Sequence, residues 1–146
     1  MPDMSGPPGG APIGLRLSRT ARVVTQAFER AMAEAGGSVS TWQVLLLVRS
    51  EAWGTQAKLA EALGVTGATL THHLNALERQ GLVRRWRDAD NRRVQRVELT
   101  PEGEALFERL REVAVAHDAR LRAALSDAEL ARLGDLLDRL RAAVED

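Results

Sequence analysis

Six arginines, Arg84, Arg85, Arg87, Arg92, Arg93 and Arg96, fall within thirteen residues of the chain, together with Trp86, Asp88 and Asp90. A guanidinium group carries a permanent charge and a planar fork of N–H donors. A cluster of them is suited to oxyanions, phosphate foremost, and to displacing the counterions condensed on a polyanion. The two aspartates call for a different role, and pairing with neighbouring arginines to stiffen the segment is the economical one. An exposed pair of this kind adds little stability but orients a side chain. The competing reading is a plain solvated loop. Overall charge does not decide between them, because 20 basic residues balance 20 acidic ones. The distribution is more informative. Residues 79–96 carry seven arginines against Asp88 and Asp90 alone, whereas residues 97–146 hold more Asp and Glu than Arg. Neutrality therefore conceals a polarised molecule.

Other chemistries find little to build on. The absence of cysteine removes disulfides, thiolate metal sites and cysteine nucleophiles together. His72 and His73 are adjacent, hence about 100° apart on a helix, and His117 is remote, so no metal site is expected. No Gly-rich phosphate loop, nucleophile elbow, Ser/His/Asp arrangement or paired-carboxylate motif appears; neither catalytic residues nor a cofactor are expected, and the chain does not read as an enzyme. No apolar run reaches the roughly 18 to 20 residues of a membrane span, and "MPDMSGPPGGAPIG" lacks the basic and apolar regions of an export signal. A cytoplasmic protein with no membrane partner is the expectation. With 146 residues, 45% of them hydrophobic and 27% charged, the chain has material for one ordinary globular domain.

The elements that must position the arginines are legible from periodicity and capping. Residues 1–13, rich in Gly and Pro, read as a disordered tail. Leu17, Ala21, Val24, Ala27, Phe28, Ala31 and Met32 then recur at helical spacing across residues 15–35, ending at Gly36 and Gly37. Ser40 and Gln43 fit a capping box that opens a second, largely buried helix through "WQVLLLV", stopping near Gly54. Thr55 caps a short third helix, "QAKLAEAL", which Gly64 ends.

The stretch "LAEALGVTGATLTHHLNALERQGLV" has the form of a helix-turn-helix. Leu70, Leu74 and Leu77 share one stripe of its second helix, which places Ala68, His72, Asn75 and Arg79 on the opposite face, with Thr69 and Thr71 on the flanks. Taken alone, that face would suit any solvent-exposed helix equally well. The small residues Thr66, Gly67, Ala68 and Thr69, however, let the helix end approach a groove floor. After Gly81 the period changes: "LVRRWR" and "VQRVEL" read as a hairpin with its tip at residues 88–93. The arginines thus straddle a wing directly after a recognition helix.

Beyond the wing, Thr100 and Pro101 open a long helix carrying Leu106, Phe107, Leu110, Val113, Val115, Leu121 and Leu125. Ser126 and Glu129 form a capping box for a final helix with Leu130, Leu133, Leu137, Leu140 and Val144. The winged region at residues 40–100 has its own core, so residues 14–36 and 101–146 are expected to be dimerisation helices of one mainly α domain, residues 14–146. Phe28, Met32, Trp42, Trp53 and Trp86 suit either core packing or the lining of a ligand cavity.

The run from "TWQVLLLV" through "LAEALGVTGATLTHHLNALERQGLVRR" to "RDADNRRVQRVELTPEGEAL" resembles the MarR family of transcriptional regulators. The family's wing reads acid-x-acid-acid-Arg-Arg, followed by Leu-Thr-x-x-Gly, and Asp88, Asp90, Arg92, Arg93, Leu99, Thr100 and Gly103 fall into those places. Asn91 departs from it, standing where an aspartate is usual; it keeps a hydrogen-bonding side chain and drops the charge. The resemblance implies a cytoplasmic homodimer of winged helix-turn-helix fold that binds double-stranded DNA at inverted repeats, commonly a repressor released by a small-molecule effector. Thr66, Gly67, Ala68, Thr69, Thr71, His72, Asn75, Arg79, Arg85, Arg92 and Arg93 become the candidate DNA contacts, with Arg93 at the position of a minor-groove arginine. Asp88, Asp90 and Asn91 become wing-shaping residues, and Phe28, Met32 and Trp42 the candidate effector contacts. Two other readings stay open: a winged helix used as a protein-interaction module, and an architectural DNA binder without an effector.

Overall fold

The computed structural model describes residues 10–50 and 55–146. The described chain runs α1 (Ile13–Glu34), α2 (Val39–Ser50), α3 (Gln56–Leu63), α4 (Gly67–Arg79), β1 (Val83–Arg87), β2 (Gln95–Leu99), α5 (Pro101–Arg122) and α6 (Asp127–Ala142). It divides into two compact units, residues 1–111 and 112–146.

In the first unit, α1 starts immediately after Pro12, whose carbonyl accepts from Arg16 N at 3.1 Å. Pro12 sits in extended backbone ahead of the first turn, so the helix begins earlier than its apolar stripe and takes in Ile13, the last residue assigned to the tail. Residues 10–12 are exposed and non-helical, and the rest of that tail, residues 1–9, lies outside the described residues. The cap of α2 also differs from expectation. Ser38, not Ser40, accepts the backbone N–H of Thr41 at 3.0 Å, and Ser40 lies inside the first turn. Gly37, just before the cap, packs closely on Leu110: a Cβ there would come within 2.7 Å of that side chain, so a larger residue would require Leu110 to shift. The end of α2 expected near Gly54, and Trp53 with it, lies outside the described residues.

The expected caps of α3 are present, and α4 gains one not expected from the sequence. Thr55 accepts from Lys58 N, Gly64 closes α3 in the left-handed region at φ 69°, and Thr66 accepts from Thr69 N at the start of α4. Leu70, Leu74 and Leu77 are buried, together with Met32, Leu45, Val48, Leu59, Val83, Val97, Leu106, Phe107 and Leu110. Each fully buried side chain of this size contributes about 1.5–3 kcal/mol, so α4 is anchored by its three leucines. Its outer face has no part in the core.

β1 and β2 pair antiparallel, Val83 opposite Leu99 and Arg87 opposite Gln95. Thr55 adds a bridge to Arg96, tying the hairpin to the start of α3. The hairpin is rooted where it meets the helices. Thr100 N donates to Leu82 O at 3.1 Å, and Thr100 Oγ1 donates to Gly81 O at 2.6 Å while accepting from Gly103 N at 3.0 Å. A Cβ on Gly103 would lie 2.0 Å from the Leu82 carbonyl oxygen, a backbone atom that cannot move aside. The Leu-Thr-x-x-Gly pattern is thus a close approach of the first turn of α5 to the base of the wing.

The second unit holds the end of α5 and all of α6. Ser126 and Glu129 form the expected capping box, and the N–H donated from Ser126 holds the Glu129 carboxyl below its usual range. No residue of α6 is buried; Leu133, Leu136, Leu137 and Leu140 are all exposed.

Candidate nucleic-acid interface

Thr66 serves α4 as its cap, and its hydroxyl also donates to Thr69 Oγ1 at 3.0 Å. Gly67, Ala68, Thr69, His72 and Arg79 are exposed. Nothing lies within 4 Å of a Cβ placed on Gly67, so the leading end of the helix is open. Thr71 and Asn75 are half-buried and already engaged: Gln56 Nε2 donates to Thr71 Oγ1 at 2.6 Å, and Arg85 Nη2 donates to Asn75 Oδ1. The outer face is therefore graded, from exposed side chains at Ala68, His72 and Arg79 to ones held by neighbouring elements.

The six wing arginines separate into distinct roles. Register places Arg84 opposite Glu98 and Trp86 opposite Arg96. Arg84 Nη2 meets Glu98 Oε1 at 2.5 Å, and its guanidinium lies 4.8 Å from the Trp86 ring centroid. Arg96 closes on Asp88 through Nη2 at 2.8 Å and Nε at 3.0 Å, a fork that braces the tip from one strand. Asp88 Oδ1 also accepts the backbone N–H of Asp90 at 2.9 Å. That backbone bond, and then Arg96, hold the Asp88 carboxyl below the usual aspartate range. The expected aspartate–arginine pairing thus holds for Asp88, while Asp90 contributes its backbone N–H instead. Asn91 accepts the backbone N–H of Arg93 at 3.2 Å through Oδ1 and that of Val94 at 2.9 Å through its carbonyl. An amide meets this need as well as a carboxylate, which explains why Asn91 departs from the resemblance without opening the turn. Arg87 Nη1 donates to the Arg92 carbonyl at 2.9 Å.

Arg85, by contrast, is turned toward α4. It joins Asn75 and, at 3.1 Å, Glu78, and the hydrogen bond from Arg85 holds the Glu78 carboxyl below its usual range. Among the described residues the exposed guanidinium groups of Arg92 and Arg93 have no ion pair or side-chain hydrogen bond, and neither has that of Arg79. Arg93 borders an open cleft of about 630 Å³ shared by Gln56, Gly67, Thr71, Arg85 and Arg87, which joins the leading half of α4 to the inner side of the wing. Gln56 and Glu78 are participants that the sequence did not single out, and Arg87, part of the arginine cluster, was not among the candidate DNA contacts.

The candidate effector residues all belong to the first unit. Met32 is fully buried in the core, and Phe28 packs edge to face on Trp42 with ring centroids 5.9 Å apart. Trp42 Nε1 is buried without an acceptor among the described residues. No group of three His, Asp or Glu among the described residues is placed to hold a metal ion, and no described helix is long and apolar enough to cross a membrane.

Comparison with known proteins accords with this geometry. Residues 38–94, from the cap of α2 to the wing tip, match the sequence model of the MarR family. The chain is 28% identical over 127 residues to the HTH-type transcriptional regulator PecS of Dickeya dadantii, covering 85% of this chain and 76% of that protein. Among solved structures it is similar to the transcriptional repressor CouR bound to a 23-mer DNA duplex, with TM-score 0.77 and 27% identity over 89% of this chain and 92% of that one. The fold is also that of the S. aureus MepR–DNA complex, with TM-score 0.80 and 21% identity over 92% of this chain and all of that one. With its helix-turn-helix, braced arginine wing and glycine-rooted hairpin, the chain carries a MarR-family match over residues 38–94 and shares its fold with winged helix-turn-helix transcriptional regulators.

Proposed function

We propose that the chain is a sequence-specific regulator of transcription that binds double-stranded DNA as a homodimer. The observation that carries this reading is the cleft shared by α4 and the wing, where Gly67 and Thr71 face the same space as Arg85, Arg87 and Arg93. α4 enters the major groove with Ala68, Thr69, His72 and Arg79 exposed, and Arg92 and Arg93, unpaired at the wing tip, meet the flanking backbone or minor groove. The similarity to CouR, a repressor solved on DNA, supports repression as the outcome. The protein acts in the cytoplasm, where its target lies, and the family and fold are those of regulators, not enzymes.

Assembly follows from apolar surface. Ile13, Leu15, Leu17 and Val23 on α1, and Leu133, Leu136, Leu137 and Leu140 on α6, are exposed, more than a soluble monomer needs to show. Two-fold pairing of these terminal segments, residues 14–36 and 101–146, would cover them and set half-sites about one helical turn apart in an inverted repeat. A small-molecule effector is supported by the buried, acceptorless Trp42 Nε1 beside Phe28, which an oxygen acceptor on a ligand would satisfy.

Genomic fragments selected on the purified protein, with affinity then measured against salt, test the reading. The expected result is an enriched inverted repeat whose affinity falls steeply with salt, and a subset of small molecules that release it. Salt-insensitive or sequence-independent retention would favour a protein-interaction module or an architectural binder instead.

A further inference from the structure

The outward face of α4 leaves one chemical question open: which end of the Asn75 amide is available to a base. Arg85, reaching across from β1, answers it. Its Nη2 donates to Asn75 Oδ1 and to Glu78 Oε1 at 3.1 Å, and its side chain is 14% exposed where that of its strand neighbour Arg84 is 64% exposed. A guanidinium has donors only and does not deprotonate, so an amide held against it must present its oxygen. Glu78 lies one helical turn beyond Asn75 and engages the same nitrogen, which keeps the arginine in place. The Asn75 NH2 group, on the other side of the planar amide, has no partner among the described residues.

We infer that Arg85 is a specificity-determining positioning residue: by drawing the Asn75 carbonyl toward itself it turns the NH2 outward, so that Asn75 presents donors to the major groove. The inference rests on the proposal that α4 reads DNA. An asparagine with both ends free matches adenine, which offers N7 as acceptor and N6–H2 as donor side by side. An asparagine whose oxygen is held meets the adenine N6 with another N–H, a mismatch. Guanine offers two adjacent acceptors, N7 and O6, and suits an amide that presents its NH2. The base facing Asn75 is therefore guanine, and Arg85 selects it without touching it.

The test is selection from randomised duplexes by the full-length chain and by Asn75→Ala, Arg85→Met, Arg85→Lys and the double variant Arg85→Met with Asn75→Ala. The position read by Asn75 is the one whose preference Asn75→Ala abolishes. Guanine is expected there for the wild type, by about tenfold over adenine. Arg85→Met moves the preference toward adenine with the salt slope unchanged, Arg85→Lys retains a donor and keeps guanine, and the double variant matches Asn75→Ala. Glu78→Gln, at an exposed position, loosens the hold on Arg85 without altering the core and is expected to move the preference partway in the same direction; it carries the test should Arg85→Met lose its helical circular dichroism. Adenine in the wild type, no position that responds to Asn75→Ala, or an Arg85→Met effect equal on every sequence overturns the inference while leaving DNA recognition intact. A wild type that enriches no motif removes the underlying reading as well, and is distinguished by that absence.

Discussion

α4 and α6 carry the same kind of sequence signal and meet different fates. Leu70, Leu74 and Leu77 on α4 are buried within the chain, whereas Leu133, Leu136, Leu137 and Leu140 on α6 remain open to solvent. Both helices begin at a capping hydroxyl, Thr66 and Ser126, and both space their leucines at three and four. A stripe of leucine states that a face must be covered; it does not state by what. On α4 the cover is the rest of the winged region, which frees the opposite face for polar work. On α6 no such cover is present among the described residues, and under the proposed dimer a second copy supplies it.

The largest effect that would break this contrast is on stability. Leu74→Ala is expected to cost about 2–5 kcal/mol, read by denaturant unfolding and independent of protein concentration. Leu133→Asp combined with Leu137→Asp is expected instead to shift sedimentation from dimer to monomer and to remove the concentration dependence of Tm. If the α6 pair destabilised the isolated monomer as strongly as Leu74→Ala, the two stripes would be equivalent after all.

Next in size is the root of the wing. A methyl on Gly103 meets the Leu82 carbonyl, so Gly103→Ala is expected to cost about 1–3 kcal/mol through overpacking, where Gly134→Ala on α6, with nothing within 4 Å, is expected to be neutral or slightly stabilising. Urea midpoints of the two variants make the comparison directly.

A smaller effect separates the DNA-facing charges from the rest. Arg93→Ala should lower the slope of log affinity against log salt by about 1 per subunit, with the greatest loss on A·T-rich flanks. Arg132→Ala on α6 should leave that slope alone. Binding titrations at several salt concentrations read both.

The smallest effect is acid sensitivity of the wing tip. Asp88 has its folded pKa depressed by the Asp90 N–H and by Arg96. Its contribution to wing order is therefore fully present above the unfolded aspartate value of about 3.9, and is lost as the pH falls through the lower folded value. Trp86 borders the same pocket as Asp88 and Arg96, so its fluorescence is expected to stay constant through neutral and mildly acidic pH and to change only below that window. Asp88→Asn is expected to remove this acid transition.

The comparison also marks what could be read from sequence. Local events were legible because they are decided by neighbouring residues: the caps at Thr55, Thr100 and Ser126, the left-handed Gly64, and the turn chemistry of the wing tip. Ser38 was missed in favour of Ser40 because both stand three residues before a suitable partner, so the local pattern alone does not choose between them. The arginine partners were illegible for the same reason. Whether Arg84 finds Glu98, Arg96 finds Asp88 or Arg85 finds Asn75 depends on strand register and on the packing of the hairpin over α4, neither of which a run of arginines contains. Chemistry at a position is visible in one dimension; engagement is not.

The root of the hairpin has a consequence for how such a protein changes over generations. The chain leaves the helical body at Leu82 and returns at Thr100, and those two residues are joined by a 3.1 Å hydrogen bond. Whatever lies between begins and ends at the same place. The outermost residues fold on local bonds of their own, Asp88 to Asp90 and Asn91 to Arg93 and Val94. Insertions or deletions there alter reach and charge without displacing α4 or α5, so the target of the wing is free to drift while the reading helix keeps its frame.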